Sequence, residues 1–154
     1  MLLYKKILNK LINKKITIST AESCTGGLIA YSFIKNKNSS KVFKAGYITY
    51  SNESKIKELK VKKTSLSKYG AVSPEIAKEM TRGLFLKYKT QVCISTTGIT
   101  GPGGSTKNKP IGLIYIGLHI HGKTNIIKKY FKGTRIQIQN KCVNFIFKYL
   151  DKLI

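Results

Sequence analysis

Residues 16–50 read ITISTAESCTGGLIAYSFIKNKNSSKVFKAGYITY. Ile16 to Thr20 alternate apolar and hydroxylated side chains as a short strand does. Gly26-Gly27 interrupt the chain, Leu28–Ile34 predict a helix, and Val42–Tyr50 return to the Val, Phe, Ile and Tyr of a strand. The stretch is a βαβ unit. Working outward, residues 2–14 place Leu3, Ile7, Leu8 and Leu11 on one helical face, so a helix precedes the unit. After it, Ser51 can cap a short helix carrying Ile56 and Leu59. Ser73-Pro74-Glu75 then combine an N-cap hydroxyl with proline at the first helical position, and Ala77, Met80, Leu84 and Tyr88 mark one face of the helix that follows. Gln91–Thr97 and Ile111–Ile120 predict buried strands, His121-Gly122-Lys123 a hairpin turn, and Thr124–Phe131 its second strand. Ile136, Val143, Phe147, Leu150 and Ile154 share the face of a terminal helix. Strands alternating with helices, with no linker or repeat between them, predict an α/β fold: a single three-layer α/β/α domain over residues 1–154, with a mixed sheet of five to six strands.

Composition narrows the function. The chain has 154 residues, 29 Lys+Arg, 6 Asp+Glu and a formal net charge of +23. Only Arg82 and Arg135 are arginines, and the lysines are scattered through every segment. A nucleic-acid binder concentrates its cations on one stripe and favours arginine for planar contacts, so a specific nucleic-acid role is not expected. A field of this sign does attract small anions, nucleotides among them. The longest apolar stretch, Ile111–Ile120, is about half of the roughly 20 residues needed to cross a bilayer, and no membrane span is expected. Lysines interleave with Leu and Ile through residues 1–15, which leaves no secretory h-region. Cys24, Cys93 and Cys142 make an odd count without a CxxC pair, so a disulfide framework is not expected and a reducing, cytoplasmic setting is.

The acids are Glu22, Glu53, Glu58, Glu75, Glu79 and Asp151. Two-metal chemistry needs clustered carboxylates, and a serine triad needs a histidine oriented by an acid. The two histidines, His119 and His121, sit two apart in one strand near a turn, with no third ligand close by. No metal site is expected.

Three loops, each just after a predicted strand, remain as candidates. In Ala21-Glu22-Ser23-Cys24-Thr25-Gly26-Gly27, the glycine pair at a helix start suits a tight turn, and Ser23 falls beside free N–H groups able to hold an oxyanion. An ordinary capped turn accounts for the same residues equally well. In Tyr50-Ser51-Asn52-Glu53-Ser54-Lys55, Lys55 lies in the first helical turn, where the positive helix end and a cationic surround are expected to lower its pKa. Thr97-Gly98-Ile99-Thr100-Gly101-Pro102-Gly103-Gly104-Ser105 offers backbone amides to a phosphate. Gly98 and Gly103 have Walker A spacing, but Gly104-Ser105 stand where Lys-Ser/Thr is required.

Together these loops resemble the CinA C-terminal domain family, which includes stand-alone nicotinamide mononucleotide amidohydrolases. The resemblance rests on residues 20–27 (TAESCTGG), 47–55 (YITYSNESK), 70–73 (GAVS), 97–104 (TGITGPGG), 109–112 (KPIG) and 133–135 (GTR). Thr134 stands where family members commonly carry an acid, Thr100 where they carry a small residue and Ala45 where glycine is frequent. The resemblance implies Ser23 as nucleophile and Lys55 as base, with amides near Cys24 and Thr25 stabilising the oxyanion. It implies that Thr25, Gly26, Gly27, Tyr50, Asn52, Thr97, Gly98, Gly101, Gly103, Gly104 and Arg135 hold an anionic nucleotide substrate or organise its pocket. It implies no cofactor, self-association into a homo-oligomer, and a C-terminal domain without the larger nucleotide-processing domain of full-length members. Cys24 is a rival nucleophile by adjacency. The alternative functions are a non-catalytic nucleotide-binding or interaction module and, last, nucleic-acid binding.

Overall fold

The computed structural model of the chain describes residues 2–154 and starts with an amphipathic helix, α1 (Leu2–Lys14), that buries Ile7, Leu8 and Leu11. The βαβ unit follows as β1 (Ile18–Glu22), α2 (Leu28–Ile34) and β2 (Phe43–Ile48). β1 lies two residues later than the alternation of 16–20 suggests. Ile18 to Glu22 pair in register with the strand from Val92 and, past a shift between Ile18 and Ser19, with β2, and the buried Glu22 carboxylate finds amide donors, so the strand can end on an acid. Three helices come next, α3 (Asn52–Leu59), α4 (Lys63–Tyr69) and α5 (Pro74–Tyr88). Then come β3 (Val92–Gly98), β4 (Leu113–Ile120), β5 (Lys123–Tyr130) and α6 (Arg135–Leu153).

The sheet order is β2-β1-β3-β4-β5, with β1 parallel to both neighbours and β3, β4 and β5 antiparallel in turn. Helices cover both faces, which is why the central strand β3 is buried from Val92 to Thr97 instead of alternating. On one face α1, α2 and α6 pack over Ile18, Ile94 and Ile116, and Phe147 of α6 meets Tyr4 and Phe33 at ring-centroid distances of 4.5 and 4.7 Å. On the other, Leu59, Ile76, Met80 and Leu84 from α3 and α5 cover Ala21 and Cys93. This is the expected three-layer α/β/α domain, with five strands.

Four details depart from expectation. Ile136 is 69 % exposed; seven residues before the buried Val143 it keeps the same helical face, but in the first turn of α6 it lies outside the core. Tyr88 is 40 % exposed at the end of α5, its hydroxyl 2.9 Å from that of Tyr47. β4 begins at Leu113, not Ile111, because Gly112 turns the chain at φ 94°. Helix α4 was not foreseen, since Leu66 is its one buried side chain and leaves no apolar period to read. The β4–β5 hairpin does turn at His121 and Gly122, both at positive φ as a two-residue turn requires.

The chain leaves β1, β2 and β3 at the same edge of the sheet. Residues 23–27, 49–55 and 98–105 therefore converge at the carboxyl ends of three parallel strands, the usual crevice of an open α/β sheet.

Candidate active site

At the end of β1 the chain turns through Ser23–Gly27, with Gly26 at φ 58° and Gly27 at φ 98°. The Ser23 N–H donates to the Thr96 carbonyl, and the Gly26 N–H donates to the Ser23 carbonyl. Glu22, fully buried, accepts at 2.9 Å from the N–H groups of both Ile29 and Ala30 and at 2.7 Å from the Thr25 hydroxyl. Its carboxylate thus does for the start of α2 what a capping side chain would do, a role Gly27 cannot fill. Burial pushes the Glu22 pKa up, and these hydrogen bonds oppose that rise.

The Ser51 hydroxyl caps α3 by accepting from the Ser54 N–H, and the next residue, Lys55, points back beneath the β1 turn. Lys55 is 1 % exposed. Its Nζ lies 3.2 Å from Ser23 Oγ, 2.8 Å from the Thr49 carbonyl and 3.3 Å from the Tyr50 carbonyl. Burial lowers the Lys55 pKa. The expected direction holds, but desolvation causes it rather than the helix end. Nζ thus donates to the Ser23 hydroxyl and to both carbonyl oxygens.

These residues open onto a cleft of about 340 Å³, a volume within the roughly 300–1,000 Å³ of small-molecule sites. Of the residues picked from the sequence, Ser23, Tyr50, Lys55, Thr97, Gly98, Gly101, Gly103, Gly104 and Arg135 line it. Arg135 joins two of its walls, donating at 2.8 Å to the Gly101 carbonyl and at 3.0 Å to the Tyr50 hydroxyl. Thr97 Oγ1 donates to the Ala71 carbonyl at 2.7 Å and so brings residues 71–72 to the rim.

A model of the CinA C-terminal domain family matches residues 2–154. The chain belongs to that family. A Clostridium botulinum protein provisionally named competence-damage inducible protein is 51 % identical over 146 residues, covering 95 % of this chain and 36 % of that protein. A protein of the same name from Clostridium acetobutylicum is 48 % identical over 144 residues, covering 94 % of this chain and 35 % of that one. The chain thus spans about a third of the length of the curated relatives it matches. Among solved structures, a competence-damaged protein (CinA) superfamily protein from Escherichia coli superposes with a TM-score of 0.93 at 32 % identity, covering 99 % of this chain and 88 % of that one. The competence/damage inducible protein CihA of Agrobacterium tumefaciens gives 0.92 at 33 % identity, covering 98 % and 93 %.

Four of the residues read as ligand contacts sit elsewhere in this CinA domain. Thr25 is 2 % exposed, its hydroxyl shared between Glu22 and Thr96, and with Gly26 and Gly27 it builds the turn rather than the cleft wall. Gly27 also leaves room for Ile48, whose Cδ1 would be 3.0 Å from a Cβ there. Asn52 opens α3 on the exposed side. Conversely Ala71, Val72, Ile99 and Thr100 line the cleft without having been selected; Gly70–Ser73 and Thr100 stood out only as family motif and departure. Thr134, the other departure, caps α6 in a reciprocal pair with Gln137. His119 packs on Phe85 at 4.3 Å and His121 is in the hairpin turn, both away from the cleft. Among the described residues no group of His, Cys, Asp or Glu could hold a metal ion.

Cys24 lies beside Ser23 in sequence and also borders the cleft, but its side chain is 4 % exposed and belongs to the core packed by α1, α2 and α6. Burial pushes its thiol up to about 12, the Thr96 hydroxyl opposing, so near neutral pH it is not a thiolate nucleophile. Cys93 and Cys142 are also buried and raised by burial. Titration of the native protein with an aromatic disulfide reagent at pH 7.5 is expected to find essentially no reactive thiol, and all three after unfolding. Rapid native labelling at Cys24 would reopen its claim to the chemistry.

Proposed function

We propose that this CinA domain is an amidohydrolase that converts nicotinamide mononucleotide to nicotinate mononucleotide and ammonia, with Ser23 as nucleophile and Lys55 as general base. The observation that carries the reading is the buried Lys55 amine 3.2 Å from Ser23 Oγ at the floor of the cleft. The substrate class comes from the resemblance in the loops around them, and the cationic cleft wall at Arg135 suits a nucleotide phosphate.

In this mechanism the Ser23 hydroxyl gives its proton to Lys55 Nζ as Oγ bonds the carboxamide carbon. The oxyanion that forms takes hydrogen bonds from the Cys24 and Thr25 N–H groups. As the C–N bond breaks, the Lys55 ammonium protonates the departing nitrogen and ammonia leaves. Lys55, neutral again, takes a proton from water as its oxygen attacks the acyl ester; as the C–O bond to Ser23 breaks, the Lys55 ammonium returns that proton to Ser23 Oγ, and the freed acid loses its own proton to solvent as the carboxylate. No step uses a metal or cofactor. The self-association implied by the resemblance forms part of the same proposal, with sedimentation as its test.

Purified protein is expected to release ammonia from nicotinamide mononucleotide and to form one nicotinate mononucleotide per ammonia, measured by a coupled assay and by mass spectrometry. Binding without release would instead support a non-catalytic nucleotide-binding module. Because the base must be unprotonated, kcat/KM is expected to rise with pH and level off above the Lys55 pKa. Burial lowers that pKa, so the rise falls below the ordinary lysine value of 10.5. A profile still rising through 10.5 would mean that Lys55 is not the titrating base.

A further inference from the structure

We propose that Gln139 is a positioning residue that holds the Ser23 turn in the shape needed to stabilise an oxyanion. The inference rests on Ser23 being a nucleophile. Gln139 lies one turn after Arg135 on α6, so the two side chains leave the same helical face. Arg135 lines the cleft; Gln139, half-buried, reaches the backbone of the Ser23 turn, where Nε2 donates to the Cys24 carbonyl at 3.0 Å. Only the amide nitrogen of that side chain can bond a carbonyl oxygen.

The consequence follows from peptide geometry. In a trans peptide the N–H points opposite to the C=O. The Ser23 carbonyl is tied to the Gly26 N–H at 3.1 Å and the Cys24 carbonyl to Gln139. Both peptide planes after the nucleophile are therefore pinned from their carbonyl edges, leaving the Cys24 and Thr25 N–H groups on the opposite edges. Among the described residues neither N–H donates to another residue's backbone. The first pin is local to the turn; the second comes from a residue 115 positions away and, among the described residues, is the one side-chain donor on this pair of peptides. Without it the Cys24–Thr25 peptide loses the bond that fixes its carbonyl edge, and a donor that must already be aimed at the oxyanion loses part of its preorganisation.

Gln139→Leu keeps the bulk and removes the donor, and Gln139→Glu replaces the donor with an acceptor facing a carbonyl. We expect Gln139→Leu to lower kcat about tenfold, less than the loss of a whole oxyanion donor, with KM within about twofold, and Gln139→Glu to lower kcat further. A helix contact of purely structural value would instead lower the melting temperature and leave kcat of the folded fraction intact, and that result would overturn the proposal. A second readout does not depend on the substrate. A fluorophosphonate probe, which bonds phosphorus to Ser23 Oγ with loss of fluoride, is followed by intact mass. Labelling is expected to slow about tenfold in Gln139→Leu; an unchanged rate overturns the proposal. Labelling of the unmodified protein at Ser23 without ammonia release would reject the proposed substrate while leaving the role of Gln139 tested. If the unmodified protein neither labels nor hydrolyses, the nucleophile and its positioning residue fall together.

Discussion

Ser23→Ala and Lys55→Ala are each expected to reduce ammonia release from nicotinamide mononucleotide by roughly 10⁴-fold or more, and the double variant to be no worse than either one. The reason is that the two side chains supply one function. An alanine at 23 leaves no oxygen to attack; an alanine at 55 leaves a hydroxyl with no base to take its proton, since the neighbouring Thr49 and Tyr50 carbonyls accept hydrogen bonds but not a proton. Lys55→Arg adds a discriminating case, since a guanidinium keeps the charge but does not give up its proton in proteins. If Lys55 acts as a base, Lys55→Arg is as inactive as Lys55→Ala; if a positive charge alone is needed, it keeps much of the rate. Losses that multiply in the double variant would show two independent contributions and would contradict the paired mechanism.

Gly83→Ala is expected to destabilise the fold by about 1–3 kcal/mol, the usual cost of overpacking, and to lower kcat by up to about 10² in the molecules that remain folded. Gly83 lies in the middle of α5, where alanine would ordinarily favour a helix. Here a Cβ would stand 1.9 Å from the Leu59 carbonyl oxygen and 2.7 Å from its carbon, so the obstacle is backbone and cannot turn aside. The relief available is to push α3 away from α5. Lys55 is one turn before Leu59 on that same helix, so the displacement reaches the amine and lengthens its 3.2 Å approach to Ser23. Thermal unfolding measures the first effect and steady-state kinetics the second. A Gly83→Ala variant with unchanged stability and kcat would show that α3 can shift without disturbing the pair.

Much of the architecture was legible because it rests on local preferences. The Ser73-Pro74 start of α5, the period of Ile7, Leu8 and Leu11, and the positive-φ pair at His121-Gly122 each declare themselves within a few residues. Helix α4 was not legible, since its one buried side chain carries no period, and Ile136 misled because it matches the apolar spacing of α6 while lying in the first turn, outside the core. The turn Ser23–Gly27 was readable as a turn but not as scaffolding. That Thr25 serves Glu22 and Thr96 instead of a ligand depends on a buried carboxylate and on β3, neither of which a local pattern contains.

By itself the sequence determined which chemistry was available to this protein: one serine in a glycine-rich turn, one lysine early in a short helix, few carboxylates and no histidine near either. It determined the βαβ order as well, because apolar period and turn residues act over a few positions. Only the tertiary structure decided that Ser23 and Lys55, 32 residues apart, meet at 3.2 Å, that Cys24 turns into the core and that Gln139 reaches the turn from the last helix. The physical reason is that desolvation and contact across the chain come from what packs around a group. Lysine is a solvated cation in any sequence; burial under the β1 turn is what lowers the pKa of Lys55 and suits it to the base role proposed above.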